Sequence, residues 1–320
     1  MVHVSRLVIA ALCLIATPLF GQSYPNKPIR FIVAQAAGSS TDTLGRLVGK
    51  SMSEVLGQQV VIDNRPGAGG TVGTELAASA APDGYTMLLG NISTHGVNPA
   101  LYAKLPYDPI KDFSPISMVA ITPNALVGRP TLAASTVNDL IQLVKQKPAQ
   151  LNFSSAGNGS AQHLAMALFE NMAELRLVHV PYKGGNPAIT AVLSGEVALM
   201  MPTLPLAMPY VKNGRIKLFA VTSKQRRAEM PDVPTLGETL PGYEVVSWFG
   251  VLGPSGIPDE IVKKLNRALK TVMNQVGVKS ALGLAGFDAD PTSPTEFGQF
   301  IKRELDKWRR VATSRGIKAE

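Results

Sequence analysis

The sequence predicts an α/β protein of two lobes, and three observations support that prediction. Short apolar segments alternate with helical patterns from residue 29 to 89, and a second series of the same kind runs from 125 to 221. Amphipathic helices follow after residue 258 and need an apolar partner. A strand followed by a helix, repeated, produces parallel strands covered by helices. The 320 residues are enough for two domains.

The first series opens on a strand and an amphipathic helix. The helix pattern repeats at Leu44, Val48 and Met52 and ends at Gly57, a residue that favours the left-handed conformation of a helix C-terminus. The predicted elements of this series are strand Ile29–Ala34, helix Thr41–Leu56, strand Val60–Ile62, helix Thr71–Ala80 and strand Tyr85–Leu89.

The second series and the tail complete the two lobes. Ser293 and Glu296 form a predicted capping box at the start of the last helix. Because the apolar faces of the tail need cover, we expect the tail to pack back on the first lobe. The organisation is therefore lobe 1 at residues 22–124 plus 223–320 and lobe 2 at 125–222. The predicted elements are strands Ala125–Val127, Leu151–Ser154, Leu177–Val180, Val197–Met201, Ile216–Val221 and Val245–Leu252, and helices Val137–Lys147, Ala161–Met172, Pro187–Leu193, Asp259–Met273 and Pro294–Val311.

The first 21 residues have the pattern of a secretory signal peptide. Arg6 precedes the apolar run Leu7–Ala16, which is too short to span a bilayer, and the small residue Gly21 offers a cleavage position. The alternative is a short buried N-terminal helix. Cys13 is the one cysteine of the chain, so removal of the signal leaves a chain without thiols. We therefore predict export to the periplasm with cleavage near Gly21.

Composition excludes several classes of protein. With 45% hydrophobic and 17% charged residues, the chain is not intrinsically disordered. The net charge of +8 is spread over amphipathic helices, and no basic run is interleaved with aromatic residues, which argues against nucleic-acid binding. A single cysteine and scattered histidines give no metal-ligand spacing, so no metal or cofactor is expected.

Three loops rich in Gly, Ser and Thr each join the end of a strand to the start of a helix. Ligands of open α/β sheets bind at the carboxyl ends of strands, where helix N-termini favour anions. Each loop is therefore a candidate carboxylate or phosphate cradle, although each is also explained by ordinary helix capping. The loops are 36–42 (AAGSSTD), 154–160 (SSAGNGS) and 182–186 (YKGGN).

The glycine-rich segments of the chain lack the motifs of nucleotide-binding proteins and hydrolases. Gly157 and Gly159 lack the third glycine of a dinucleotide fingerprint, because Gln162 stands there. The Gly67–Gly70 run lacks the Lys of a P-loop, and no Gly-x-Ser-x-Gly elbow occurs. His163 follows the second loop and either faces the cleft or serves as a hydrogen-bonded structural residue.

Several motifs together resemble those of the Bug-type solute-binding proteins, the extracytoplasmic receptors of tripartite tricarboxylate transporters. The similarity covers nearly the whole exported chain. It rests on the segments 24–30 (YPNKPIR), 38–42 (GSSTD), 63–70 (DNRPGAGG), 82–86 (PDGYT), 157–160 with His163, 180–185 (VPYKGG), 220–223 (AVTS) and Trp248 before Gly253-Pro254.

This resemblance implies a type II periplasmic-binding-protein fold, in which two lobes close over a ligand in the cleft between them. It also implies a carboxylate ligand held by backbone N–H groups, hydroxyls and water. No cofactor, metal, catalytic residue or nucleic-acid partner is expected, and the protein is expected to be a monomer. The expected ligand-binding positions are Gln35, Ala37, Gly38, Ser39, Ser40, Thr41, Asp42, Ser93, Ser155, Asn158, Gly159, Ser160, His163, Tyr182, Gly184, Pro202 and Thr203.

Two departures from the family pattern bear on the ligand. The first loop has Ala36 and Ala37 before one glycine, where relatives carry a proline and two glycines. Met200 and Met201 stand where relatives have an acidic or amide pair, which predicts a more apolar cleft wall. A dicarboxylate is therefore expected, including an aromatic one such as terephthalate, to be passed to membrane permease subunits. The alternatives are a ligand-sensing partner of a sensor kinase and a secreted esterase-like enzyme.

Overall fold

The computed structural model describes residues 24–315, and these form two α/β lobes, each built on one sheet. The predicted signal peptide lies outside the described residues. Within residues 24–315, none of the helices combines the length and the apolar character needed to cross a membrane.

Lobe 1 is formed by two separate parts of the chain. Its first part carries β1 to β4 and its second part carries β10, β11 and the C-terminal helices. The elements are β1 (Ile29–Val33), α1 (Ser40–Leu56), β2 (Val60–Asn64), α2 (Thr71–Ala78), β3 (Thr86–Asn91), α3 (Asn98–Leu101) and β4 (Phe113–Pro123), and after the second lobe β10 (Val246–Pro254), α9 (Asp259–Asn274), α10 (Val276–Leu284), β11 (Asp288–Ala289) and α11 (Pro294–Arg315).

The sheet of lobe 1 is mixed rather than fully parallel. Its strand order is β11-β4-β10-β3-β1-β2, with β1 parallel to β2 and β3, and β10 antiparallel to β3 and β4. The expectation of a parallel sheet therefore holds for the first three strands only. It fails at β10 because this strand re-enters the sheet from lobe 2, running opposite to β3.

Lobe 2 has a five-stranded sheet in the order β7-β6-β8-β5-β9. Strand β6 is parallel to β7 and β8, whereas β5 is antiparallel to β8 and β9. The elements are β5 (Ala125–Gly128), α4 (Val137–Gln146), β6 (Asn152–Ser155), α5 (Ala161–Met172), β7 (Val178–Pro181), α6 (Gly185–Ser194), β8 (Leu199–Met200), α7 (Leu204–Lys212) and β9 (Lys217–Val221), followed by the short α8 (Leu236–Thr239).

The two lobes are joined by a buried polar crossing. Asn124 separates β4 from β5 and is fully buried. Its backbone N–H donates to Thr222 Oγ1 at 2.6 Å, and its side chain accepts a hydrogen bond from Ser247 Oγ at 2.9 Å. The same side chain donates to the carbonyl of Met201 at 3.1 Å. One residue therefore holds the outgoing strand, the returning strand and lobe 2 together.

The chain returns to lobe 1 later than residue 222. The Val221 N–H donates to the Pro234 carbonyl, and the Tyr243 hydroxyl donates to the Ala165 carbonyl of α5 at 2.7 Å. The segment from 223 to 245 thus packs on lobe 2. Arg227 of this segment reaches back to lobe 1, through a two-pronged ion pair with Asp288 at 2.5 and 2.8 Å. On these contacts we place the boundary near residue 245 instead of the expected 222.

The C-terminal helices pack on lobe 1, where α9 lies against α1 and β4, and α11 lies against β4 and α3. The predicted capping box is present, since Ser293 and Glu296 exchange side-chain to backbone hydrogen bonds at 2.8 and 3.2 Å. Trp248 and Trp308 are both buried and donate to the same Glu304 oxygen at 3.0 Å. The apolar faces of the tail are covered by this packing.

Candidate ligand-binding site

Four helices begin where the two lobes meet, each after the carboxyl end of a strand. Helix α1 follows β1 in lobe 1, and helices α5, α6 and α7 follow β6, β7 and β8 in lobe 2. Ser40 Oγ of α1 lies 2.8 Å from Thr203 Oγ1, the residue before α7. A Cβ placed on Gly38 would lie 3.7 Å from the Asn186 side chain of α6. The lobes therefore touch directly through their helix starts.

The starts of the three lobe 2 helices also meet one another. A Cβ placed on Gly185, the first residue of α6, would lie 3.3 Å from Gln162 Nε2 of α5 and 2.9 Å from the Leu206 side chain of α7. The N-terminus of a helix has free N–H groups and a partial positive charge. The junction therefore gathers the positive ends of four helices at one place between the lobes.

The loop before α1 is held by its own carboxylate. Ser39 caps the helix by accepting the N–H of Asp42, and the Asp42 carboxylate accepts the N–H of Gly38 at 2.9 Å. Arg46 and Asn64 donate to the same carboxylate, each at 3.0 Å. Burial acts to raise the pKa of Asp42, but these hydrogen bonds outweigh it and hold the pKa below its usual value. Asp42 therefore shapes the loop, and its oxygens are already occupied.

The loop before α5 is held by three side chains, those of the N-cap Ser160 and of two residues in the first turn of α5. Ser160 accepts the N–H of His163 at 3.2 Å, and His163 Nδ1 accepts the N–H of Gly159 at 3.1 Å. Gln162 Oε1 accepts the N–H of Ala156 at 3.0 Å. The resemblance implied that this loop binds the ligand through backbone donors, but the N–H groups of Ala156 and Gly159 are used inside the loop. The donors left for a ligand are fewer than the loop sequence suggests.

Several N–H groups remain free at the junction. They belong to the loop before α5 and to the first turns of the four helices, and none has an acceptor among residues 24–315. Acidic residues are absent from the first turns of α5, α6 and α7, whereas α1 has Asp42. These free groups are the N–H groups of Ser40, Thr41, Asn158, Ala161, Gln162, Gly185, Asn186 and Leu204.

His163 belongs to a stacked pair of imidazoles rather than to a charged site. Its ring lies 3.9 Å from that of His179, and His179 Nε2 lies 2.6 Å from Ser155 Oγ. Burial lowers the pKa of His163, and burial with the neighbouring His163 lowers the pKa of His179 to about 4. Both rings are therefore neutral at neutral pH, and His163 orders the loop through Gly159.

The structure places the expected site residues in different surroundings. Gly38, Ser40 and Thr203 meet across the cleft, and Gly184 precedes α6 with a φ of +116° that favours glycine. Ala37 and Asn158 are exposed, while Gln35 is half-buried and its backbone carbonyl accepts a hydrogen bond from the Asn64 side chain. Supporting positions are Ser39, Thr41, Asp42, Ser93, Ser155, Ser160, His163 and Pro202, which cap helices, hydrogen-bond the loops or lie buried beneath them.

Two of these residues are oriented differently from what the sequence suggests. The Tyr182 hydroxyl donates to Glu196 at 2.8 Å, and Glu196 precedes β8, at the opposite end of the strands from the cleft. A Cβ on Gly159 would lie 2.3 Å from Leu101 of lobe 1, so this position faces the other lobe. Gly159 therefore allows the lobes to approach closely.

The two methionines do not line the cleft. Met200 packs in the core of lobe 2, and Met201 is fully buried with its sulfur accepting the Tyr243 hydroxyl at 3.1 Å. The expectation that they make the cleft wall apolar is wrong, because a strand directs successive side chains into the layers on either side of the sheet. Thr203, a polar residue, is the part of this segment that reaches the cleft. The argument for an aromatic ligand thus loses its structural basis.

Sequence reasoning missed Gln162 and Leu101, and it included Asn186 only as the last residue of the third candidate loop. Gln162 and Asn186 lie in the first turns of α5 and α6, so their positions next to the glycine-rich loops were the available signal. Leu101 ends a four-residue helix with no motif, and nothing in the local sequence indicates that it faces Gly159.

A family model described as "Tripartite tricarboxylate transporter family receptor" matches residues 44–317. The chain belongs to this family. The resemblance to Bug-type receptors is confirmed by Protein BugT of Bordetella pertussis, which is 33% identical over 306 residues, covering 95% of this chain and 94% of BugT. The receptor fold is also found in solved structures of similar proteins.

Two of those structures contain a carboxylate ligand. R. palustris Rpa4515 with adipate is 34% identical, has a TM-score of 0.89, and is matched over 92% of this chain and 99% of its own. MatC from Rhodopseudomonas palustris with bound malate is 33% identical, has a TM-score of 0.84, and is matched over 90% and 99%. The predicted two-lobe periplasmic-binding-protein fold of this receptor is confirmed.

Proposed function

We propose that this receptor binds a small organic dicarboxylate between its lobes in the periplasm and delivers it to the membrane permease subunits of a tripartite tricarboxylate transporter. The observation that carries the proposal is the meeting of four helix N-termini at the cleft, three of them without an acidic residue in the first turn. The ligands of Rpa4515 and MatC, adipate and malate, are both dicarboxylates and support this class.

The donors at the junction are suited to carboxylate oxygens. The N–H groups of Ala161, Gly185 and Asn186 are free, and the hydroxyls of Ser40 and Thr203 lie beside them. Helix N-termini attract anions through these groups and through the helix dipole. A carboxylate at this place would be neutralised without a lysine or arginine at the contact, which leaves the cleft able to release its ligand.

Binding follows from closure of the lobes. Each hydrogen bond to a charged ligand contributes roughly 1.5–3 kcal/mol. Four or five such bonds, less the costs of ordering and desolvation, are consistent with micromolar binding, about 8 kcal/mol. Because Ser40 and Gly38 belong to lobe 1, and Thr203 and Asn186 to lobe 2, a ligand at the junction stabilises the closed state only.

Calorimetry with a panel of adipate, malate, terephthalate and matched monocarboxylates tests the ligand class. We expect saturable binding of at least one dicarboxylate at one molecule per chain, and no turnover of ligand or of its esters. A panel in which every acid fails to bind would overturn the carboxylate assignment. Small-angle scattering of the same samples should show a smaller radius of gyration with ligand, from a monomer in both states.

Export and delivery need separate experiments. Mass spectrometry of the protein from its native host should find an N-terminus near Gln22, and an intact Met1 would overturn export. Deletion of the gene should abolish uptake of the bound dicarboxylate at micromolar concentration, and uptake at the wild-type rate would overturn the transport role.

A further inference from the structure

We propose that Gln162 is a specificity-determining ligand contact, whose side-chain NH₂ group binds one carboxylate of the ligand at the junction of α5 and α6. This inference rests on the proposed function and adds a side chain to it. Gln162 is the second residue of α5 and is half-buried.

The orientation of the Gln162 amide is determined by its partner. A backbone N–H is only a donor, so the atom 3.0 Å from the Ala156 nitrogen must be the carbonyl oxygen of the side chain. The NH₂ group is therefore directed away from the loop, and flipping the amide would place two donors against each other. The hydrogen bond from Ala156 to the side-chain oxygen therefore fixes the direction of the two N–H groups of Gln162.

The NH₂ group points to the place where the three lobe 2 helices begin. Nε2 lies 3.3 Å from the position of a Cβ on Gly185, beside the Leu206 side chain of α7. The next residue, Asn186, faces Gly38 of lobe 1. Within residues 24–315, Nε2 has no hydrogen-bond acceptor, whereas the side chains of Ser155, Ser160 and His163 make hydrogen bonds within the loop.

This arrangement gives Gln162 two functions in one side chain. Its oxygen orders the loop through Ala156, and its nitrogen presents two donors beside the free N–H groups of Ala161 and Gly185. Such a group donates hydrogen bonds to a carboxylate oxygen and adds direction to the non-directional attraction of the helix dipoles. A ligand that lacks an oxygen here would leave these donors unpaired, which is a means of discrimination.

Two substitutions separate support of the loop from binding of the ligand. Each of these functions predicts a different variant as the tighter binder. Gln162→Glu keeps an oxygen for the Ala156 N–H but places a negative oxygen where the NH₂ group was. Gln162→Met keeps the length of the side chain and loses both hydrogen bonds. If Gln162 only supports the loop, the Glu variant binds better than the Met variant. If its NH₂ group binds the ligand, the Glu variant binds worse.

Calorimetry with the tightest binder of adipate, malate and terephthalate is the test. We expect the dissociation constant to rise about tenfold in Gln162→Met and about 100-fold in Gln162→Glu. Between pH 7 and pH 5 the deficit of Gln162→Glu should shrink, because a protonated Glu donates a hydrogen bond. Gln142→Glu, an exposed position in α4, makes the same change of charge in the same lobe and should leave affinity within about twofold.

The two proposals fail in different ways. If the wild-type protein binds none of the three acids, the proposed function is overturned and this inference with it. If the wild type binds and Gln162→Glu binds as tightly as the wild type, or more tightly than Gln162→Met, only the role of Gln162 is overturned. Thermal unfolding without ligand, expected to change least in Gln162→Glu, identifies a variant that loses binding through misfolding.

Discussion

Both lobes have helix N-termini at the cleft, but they differ in whether an acidic side chain offsets the partial positive charge of those N-termini. In lobe 1 the start of α1 is occupied by the protein's own carboxylate, Asp42, which accepts three donors. In lobe 2 the starts of α5, α6 and α7 have no acidic residue in the first turn. A ligand anion should therefore be held mainly by lobe 2, with lobe 1 closing over it through neutral contacts.

The largest effect is expected where a negative charge is added to lobe 2. Asn186→Asp places a carboxylate in the first turn of α6, where the ligand's own charge must lie, and should raise the dissociation constant about 100-fold. The same carboxylate interacts favourably with the positive end of the helix dipole, so the unliganded protein should become slightly more stable, by about 0.5 kcal/mol. Calorimetry and thermal unfolding measure the two effects, which have opposite signs.

The matched control is Asn213→Asp, an exposed position at the other end of α7. It makes the same change of charge in lobe 2 but away from the cleft, so ligand affinity should not change. Equal affinity in Asn186→Asp and the wild type would contradict the assignment of the anion to lobe 2.

In lobe 1, removal of the Asp42 charge should lower the stability of the fold more than the affinity for the ligand. Asp42→Asn turns an amide NH₂ toward donors and should lower the free energy of unfolding by about 2 kcal/mol at pH 7. The pKa of Asp42 is below its usual value in the folded protein, so its contribution is present above the unfolded pKa and is lost as pH falls below about 4. Urea unfolding from pH 7 to pH 3 should show the variant and the wild type converging at low pH. A constant difference would contradict this explanation.

In lobe 2, stability should depend on pH in a different range, because a histidine is the titrating group. The pKa of His179 is lowered to about 4 by burial, so an unfolded chain binds a proton between about pH 6.5 and 4 that the folded chain refuses. Stability should therefore fall by about 1–2 kcal/mol as pH drops through that range. In His179→Gln, which retains a polar partner for Ser155, the loss of stability over this range should be smaller than in the wild type by the contribution of His179. The dependence on pH that remains should come from His95 and His163, whose pKa values are also lowered by burial. A wild type whose stability is flat from pH 6.5 to 4 would contradict a neutral stacked pair.

The sequence predicted the elements whose signals are local. Helix α1 has its apolar repeat and ends at Gly57 with a φ of +68°, and the Ser293 capping box forms as expected. Strand β4 was not predicted, because Pro115, Ser117 and Thr122 interrupt its apolar pattern. Those polar side chains are satisfied by distant carbonyls, such as that of Thr292 for Ser117 and that of Gly286 for Thr122, which no local pattern indicates.

For the candidate site, the sequence predicted the positions of the loops but not which of their atoms are free. Sequence alone placed the glycine-rich loops at the ends of strands, and the structure brings them together. It did not indicate that His163 and Gln162 use the N–H groups of the loop, because that depends on side-chain direction within one helical turn. Met200 and Met201 were misassigned for the same reason, since burial of a strand is decided by the layers around the sheet.

The smallest effect is expected at the neutral contact that closes the cleft. Ser40 Oγ and Thr203 Oγ1 lie 2.8 Å apart, although 163 residues separate them in the chain. Ser40→Ala and Thr203→Val each remove one hydroxyl with little change of shape, and each should weaken ligand binding about two- to fivefold. Because the contact exists only when the lobes are closed, the double variant should bind little worse than either single one, with a coupling of roughly 0.5–1.5 kcal/mol. Calorimetry of the wild type, the two single variants and the double variant completes this double-mutant cycle. Unfolding without ligand should show a smaller coupling, since an open receptor does not make the contact.

Fully additive losses of affinity would contradict this explanation. They would mean that each hydroxyl binds the ligand separately, and that Gly38 and Gly159, which belong to different lobes, allow the closed contact instead.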